Sequence, residues 1–291
     1  MNQDSLAETV DEPRTPEFGS WRSYREFEEG VIRNRRHIWD QPINAFLDTV
    51  MRTRQGRDME IPKGARLWRA QLGIKYVSIE DADGEEVGEE WLGFCGARMK
   101  PVAEHAREGR ANSAGIPVLY LASTEQTAIS EIRPWVRSEV SVAQFRITRK
   151  LNAINLTQGH DTPPWNGLTL AQMLGTEEVS VEDQTSAVWN DIDNAFSRPV
   201  TPSDERESYI PTRILTELFK EAGYDAIVYR SHFGQDGTDG YNIAVFDLGD
   251  AEILNCAPYR IESIEINFEQ IGNRWFTRHA LPEGDGNSGS T

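Results

Sequence analysis

Residues 109–133 read GRANSAGIPVLYLASTEQTAISEIR. The first seven are a run of small residues with one cation, Arg110, ending in Asn112-Ser113-Ala114-Gly115, which is turn chemistry. Ile116–Leu121 is apolar and short, and reads as a strand. Ser123 or Thr124 then supplies a hydroxyl cap for a helix running through Ala128 to Ile132, and Pro134 ends it. Turn, strand and capped helix follow one another, and Glu131 is a carboxylate amid the apolar residues of that helix.

Outward from this stretch, Ala65–Ala70 (ARLWRA) is a plausible first strand carrying Arg69. Residues 79–90 read as an acidic, Gly-containing loop, and Val140–Ile147 and Leu151–Leu156 as strands. A helix is expected from Pro211 to Ala222, stopped by Gly223. Alternating apolar strands are expected at Ala226–Tyr229, Tyr241–Phe246 and Ile261–Phe268. Many strands with few helices and no regular alternation imply a mixed α+β domain. Upstream, residues 21–63 form a helical lead-in with Phe27, Val31, Ile38, Phe46, Leu47 and Val50 at helical spacings. Its cluster Arg33, Arg35, Arg36 and His37 is expected to be a solvated face. Residues 1–20 and 283–291 are polar and expected to be disordered.

The stretch 157–208 holds ten acids and two basic residues, Arg198 and Arg206. It reads as an acidic surface insertion with one or two short helices, anchored by Leu168, Leu170, Met173, Leu174, Val188, Trp189 and Phe196. The chain of 291 residues has 30 Lys and Arg against 47 Asp and Glu, a net charge of -17. That balance argues against nucleic-acid binding by the protein itself, since duplex affinity rests on basic residues displacing counterions. Local charge differs: residues 91–115 carry Arg98, Lys100, Arg107 and Arg110 against Glu104 and Glu108, a balance of +2, and a small anionic ligand responds to such a local patch rather than to the sum. Cys95 and Cys256 have no metal-ligand spacing and read as small buried hydrophobes. The five histidines show no metal-ligand pair, so no metal site is expected. The N-terminus does not read as a signal peptide, and no apolar run approaches the ~20 residues of a membrane helix. The expectation is a cytoplasmic protein with no membrane contact.

Four residues carry the chemistry. Arg110 in a small-residue turn can fork onto a phosphate, or be an exposed Arg in an ordinary Gly-capped turn. Tyr120 on the following strand can stack on a heteroaromatic ring and orient a ribose, or be an ordinary strand aromatic. Glu131 lies amid apolar helical neighbours; it is either a buried functional carboxylate or an outward acid paired with Arg133 or Arg137. Ser231 stands at a strand exit in Tyr229-Arg230-Ser231-His232-Phe233-Gly234. A Ser-His pair alone makes no hydrolase without a nucleophile elbow. The Gly-rich stretches near 84–96 and 234–240 lack the dinucleotide and P-loop spacings.

In order, GRANSAGIPVLYLASTEQTAISEIR, then YIPTRILTELFKEAGYDAIVYRS at 209–231 and DGYNIAVFD at 239–247, closely resemble the RES domain family. The resemblance covers about residues 64–268, within a domain drawn at 64–270. The family's Arg, Glu and Ser fall on Arg110, Glu131 and Ser231. The resemblance implies an ADP-ribosyltransferase-like split mixed sheet with flanking helices. It implies a toxin that consumes NAD as substrate, with no resident cofactor, held in check by an Xre-type antitoxin; a homodimer is compatible with it. Arg69, Asn112, Arg110 and Tyr120 are then expected to hold NAD, and Glu131 to steady the ribosyl cation with Ser231 beside it. Ala111 departs from the aromatic residue frequent after the family Arg, and the lead-in and insertion exceed the compact toxin form. The acceptor stays open between water, phosphate and a protein side chain, although Ile129, two residues before Glu131, leans against protein modification. A non-catalytic nucleotide sensor or interaction module is the other class.

Overall fold

The computed structural model describes residues 17–94, 96–199, 206–233 and 240–274. The expectations for residues 1–16, Cys95, 200–205, the Gly-rich 234–239 and the 283–291 tail lie outside the described residues.

The chain opens with α1 (Ser23–Glu29), a π-helical turn (Gly30–Asn34) and α2 (Gln41–Thr53). Asp40 caps α2 by accepting from the Ile43 N–H, and Pro42 sits in the first turn, where its missing N–H is harmless. Ile43, Phe46, Leu47 and Val50 form its buried face, with Phe46 stacked on Phe27 at 4.5 Å. Ile38 falls between the helices and is exposed. The lead-in ends in a strand, β1 (Asp58–Ile61).

Next come β2 (Arg66–Leu72), β3 (Lys75–Glu80), β4 (Glu86–Leu92) and α3 (Gly96–Met99). The acidic stretch 79–90 is therefore a hairpin and not a loop. Asp81 makes its turn, its carboxylate accepting from the N–H groups of Asp83 and Glu85. Tyr76 meets Trp91 edge-on across the pair, and the acids point to water. Then follow β5 (Leu119–Ala122), α4 (Glu125–Glu131), β6 (Glu139–Ile147) and β7 (Leu151–Leu156). β5 starts three residues later than expected, since Pro117 has no N–H for a ladder.

The second half holds α5 (Leu170–Met173), α6 (Val181–Ser197), α7 (Ile210–Glu221), β8 (Ala226–Arg230), β9 (Tyr241–Val245) and β10 (Ala251–Arg260). Two corrections belong here. The segment 261–268 forms no strand: Ile264, Ile266 and Phe268 alternate but are exposed, with no ladder to join. The last strand is β10, whose Pro258 is tolerated because β10 lies at the sheet edge. The acidic stretch 157–208 is also more than a surface insertion. α6 buries Val188, Trp189, Ile192 and Phe196 in the main core, each contributing up to about 1.5–3 kcal/mol. Leu170 and Leu174, read as anchors, are exposed.

Eight strands form one mixed sheet in the order β1-β7-β8-β9-β5-β2-β6-β10, and β3–β4 stand apart as a pair. Among the described strand pairs, only β7 and β8 run parallel. The helical side packs α1, α2, α6 and α7 on Ile227, Tyr229 and Ala244; Val228, Ile243 and Val245 face the second core. Between β5 and β2 the ladder shrinks to one residue pair, Trp68 with Ala122. The architecture is α+β with a split mixed sheet, flanking helices and a helical N-terminus.

Candidate active site

The split between β2 and β5 opens into a cleft of about 280 Å³, roofed by α4 and walled by Tyr209 and Tyr229. Arg69, Arg110, Tyr120 and Glu131 all line it.

The 109–115 turn is held from inside. The Tyr120 hydroxyl accepts from the Ala111 N–H and donates to Asn112 Oδ1, both at 2.8 Å. Asn112 Nδ2 donates to the carbonyls of Arg107 and Ser113. A Cβ on Gly109 would lie 2.6 Å from both the Tyr120 hydroxyl and Asn112 Oδ1, so glycine is required for this close approach. Two sequence expectations change accordingly. Asn112 is buried with its polar atoms engaged in the turn and does not line the cleft. Tyr120 lines it with its ring, but the hydroxyl intended for a ribose is held by the turn, and burial pushes that phenol up to about 12.

Arg110 is half-buried. One terminal nitrogen donates to the Phe196 carbonyl and the other to the Arg198 carbonyl at 2.7 Å. Its guanidinium lies 5.2 Å from the ring of Tyr229 and 5.6 Å from that of Tyr209, within the range of cation–π attraction. Arg69, from β2, makes one bond, from Nη1 to the Tyr120 carbonyl at 3.1 Å. Its Nε is buried without a partner, and burial pulls the guanidinium below its ordinary value.

Glu131 ends α4, a helix capped by the Thr124 hydroxyl accepting from the Thr127 N–H. Its side chain is exposed at the cleft, not buried, and neither Arg133 nor Arg137 pairs with it among the described contacts. Two donors from across the sheet converge on one of its oxygens. Ser231 Oγ donates to Oε1 at 2.6 Å and Asn242 Nδ2 to the same atom at 2.5 Å. The other oxygen, Oε2, has no described hydrogen-bond partner. Ser231 and Asn242 are both buried, on the exit of β8 and on β9. The structure thus brings Arg69, Arg110, Tyr120, Glu131 and Ser231 together and leaves Asn112 behind the wall.

Asn242 was not singled out from the sequence, nor were Trp68, Tyr209 and Tyr229 as lining residues. Its signal was present: one amide inside the otherwise apolar run Tyr241-Asn242-Ile243-Ala244-Val245. Buried amides need partners. A carboxylate accepting two neutral hydrogen bonds is fixed in place but keeps its charge for something else. No group of His, Cys, Asp and Glu able to hold a metal occurs among the described residues, and none of the described helices is long and apolar enough to cross a membrane.

Among solved structures, the chain is similar to one in the M. tuberculosis MbcT–MbcA toxin–antitoxin complex, at 11% identity and a TM-score of 0.36, over 73% of this chain and 92% of that one. No curated protein matches. Residues 89–267 match the RES domain family, beginning after the strand that carries Arg69 and taking in Arg110, Glu131 and Ser231. That span is more than half of the chain, and the protein belongs to the RES domain family.

Proposed function

We propose that the protein cleaves the nicotinamide–ribose bond of NAD, as a glycohydrolase or phosphorylase, and acts as a toxin restrained by an Xre-type antitoxin. The observation that carries this reading is the carboxylate of Glu131, tethered through Oε1 by Ser231 and Asn242 with no partner for Oε2 among the described residues, beside two arginines in one cleft.

Loss of nicotinamide leaves positive charge on the ribose C1′ in an oxocarbenium-like transition state. The bonding electrons leave with the pyridine nitrogen, which becomes neutral, so no strong general acid is required. Glu131 steadies the developing cation or grips a ribose hydroxyl. A preorganised group of this kind is worth ~3–4 kcal/mol, or about a hundred- to a thousandfold in rate. The arginines offset the diphosphate charge, and the face of Tyr120 packs the nicotinamide end. Water or phosphate then bonds to C1′ and its proton passes to solvent. Ile129 is half-buried against the small core under α4, so no polar side chain stands two residues before Glu131 to position a protein acceptor.

The test incubates purified protein with NAD, with and without phosphate, and follows products by mass spectrometry. ADP-ribose with nicotinamide identifies water as acceptor, and a phosphorylated ADP-ribose identifies phosphate. Absence of free nicotinamide under both conditions sinks the proposal. In cells, wild-type expression is expected to deplete NAD and Glu131→Gln to relieve it; harmless wild-type expression would favour a nucleotide sensor.

A further inference from the structure

β10 lies at the edge of the sheet, and the chain runs on from it as Ile261-Glu262-Ser263-Ile264-Glu265-Ile266-Asn267-Phe268-Glu269-Gln270. This stretch alternates like a strand without a neighbour. Ile266 is 71% and Phe268 93% exposed, and Ile264 is exposed beside them. A row of apolar side chains on an open edge marks an interaction surface. Among the described residues, no backbone group of 262–270 bonds to another backbone group. The residue before the stretch fixes which edge is open. Ile261 donates to the Ser138 carbonyl at 2.9 Å and accepts from the Arg137 N–H at 2.8 Å, so its polar groups face the sheet. Backbone groups point to alternate sides along an extended chain, which turns those of residues 262, 264, 266, 268 and 270 outward.

The order of side chains says what fits that edge, because the stretch is complementary to its own reverse. In an antiparallel pair with a two-fold axis at Ile266, Ile264 stands opposite Phe268 and Ile266 opposite its own copy. Glu265 then meets Asn267, Glu269 meets Ser263 and Glu262 meets Gln270, so each carboxylate faces a side chain that can donate to it. Moving the axis by one residue sets Glu265 against its own copy or against Glu269, and like charges directly opposite are destabilising. An axis between two residues puts apolar side chains opposite polar ones. Every pair favours the same register. We propose that residues 262–270 form an antiparallel two-stranded ribbon with the same segment of a second copy of this chain, centred on Ile266. The pairing covers the exposed apolar row, supplies the missing ladder and closes at two copies. It stands apart from the NAD reading, since the segment lines no part of the cleft.

The test is sedimentation velocity of the full chain over a range of concentrations, joined to cysteine cross-linking. The wild type is expected to show a monomer–dimer equilibrium. Ile266→Lys sets two ammonium groups face to face and should weaken the dimer at least about tenfold. Ile266 belongs to no core cluster, so the variant should fold as the wild type does, which circular dichroism checks. Under mild oxidation Ile266→Cys should cross-link to its own copy, since Cα atoms of a hydrogen-bonded pair lie about 5.5 Å apart, within disulfide range. Ile264→Cys and Phe268→Cys should each fail alone, their like cysteines standing about 14 Å apart along the ribbon, and should cross-link when mixed. The wild type, with its own cysteines, is the control. A monomer at every concentration, or a dimer that Ile266→Lys leaves intact, would overturn the proposal, and the first result would leave the edge to a strand of another protein. Failure of Ile266→Cys to cross-link, or equal cross-linking by Ile264→Cys alone, would overturn it as well.

Discussion

Two sets of charged side chains in this molecule are treated in opposite ways. Beneath α6, Arg57 and Asp193 are both buried, and Arg57 Nη1 reaches the two Asp193 oxygens at 2.8 and 3.0 Å. The Gly159 N–H adds a third hydrogen bond at 2.7 Å, and the Trp189 ring lies 4.1 Å from the guanidinium. Burial pushes the Asp193 carboxyl up to about 6, while Arg57 pulls it back. In the cleft, among the described residues, Arg69 has one carbonyl and no carboxylate, and Glu131 has two neutral donors on one oxygen and none on the other. The closed pair fixes β1, β7 and α6 to one another. The open set is positioned without being neutralised. A charge answered within the chain holds the fold, and one left unanswered in a cleft is available to a ligand.

The largest effect expected is at the closed pair. Asp193→Ala leaves Arg57 buried and alone, and should lower unfolding free energy by about 3–5 kcal/mol in denaturant titration. A tolerated Asp193→Ala would break the contrast at its structural end.

Asp191 is the intermediate case. It is buried on α6, its nearest cation is Arg25 at 4.0 Å, and Oδ2 has no hydrogen-bond partner. Burial pushes its carboxyl up to about 6, against the opposing pull of Arg25 and Arg198. A carboxyl raised on folding binds its proton more tightly when native, so its ionisation destabilises the native state as pH climbs from about 4 through 6. Asp191→Asn should therefore stabilise the protein by about 2–3 kcal/mol at pH 8, with the gain vanishing near pH 4. Equal gains at both pH values would show that the carboxylate is adequately answered by its neighbours.

Smaller effects are expected at the open set. Asn242→Ala removes one of the two tethers of Glu131 and should lower kcat/KM for NAD about tenfold, with kcat carrying the loss. Smallest of all, Arg69→Met removes an uncompensated cation and should raise unfolding free energy by about 1 kcal/mol, or ~2–4 °C in melting temperature, while weakening substrate binding. A clear loss of stability in Arg69→Met would mean that Arg69 serves the fold.

The parts of this arrangement legible in the sequence are those set by local chemistry. The Thr124 cap and the helix end at Gly223 (φ +88°) follow from the residues in the turn itself. The hairpin β3–β4 was hidden because its acids suggested a loop, although alternation within Tyr76–Ile79 and Val87–Trp91 matches a two-sided ribbon. The opposite error arose at 261–268, where alternation is present but no neighbouring strand is available to pair with it. α6 was misjudged from its acids, two of which, Asp191 and Asp193, are buried. Their partners lie more than 100 residues away in Arg25 and Arg57, and composition carries no information about pairing at that distance. For the same reason, Glu131 was picked out as unusual while Asn242, which holds it, was not.

The most direct measurement is the rate of nicotinamide release from NAD by the wild type and by Glu131→Gln, each checked for an unchanged melting temperature. Many turnovers by the wild type and a rate about a hundredfold or more lower in the variant are predicted, because the substitution removes the charge and keeps the shape. Equal rates, or no release by folded wild-type protein, would contradict the account.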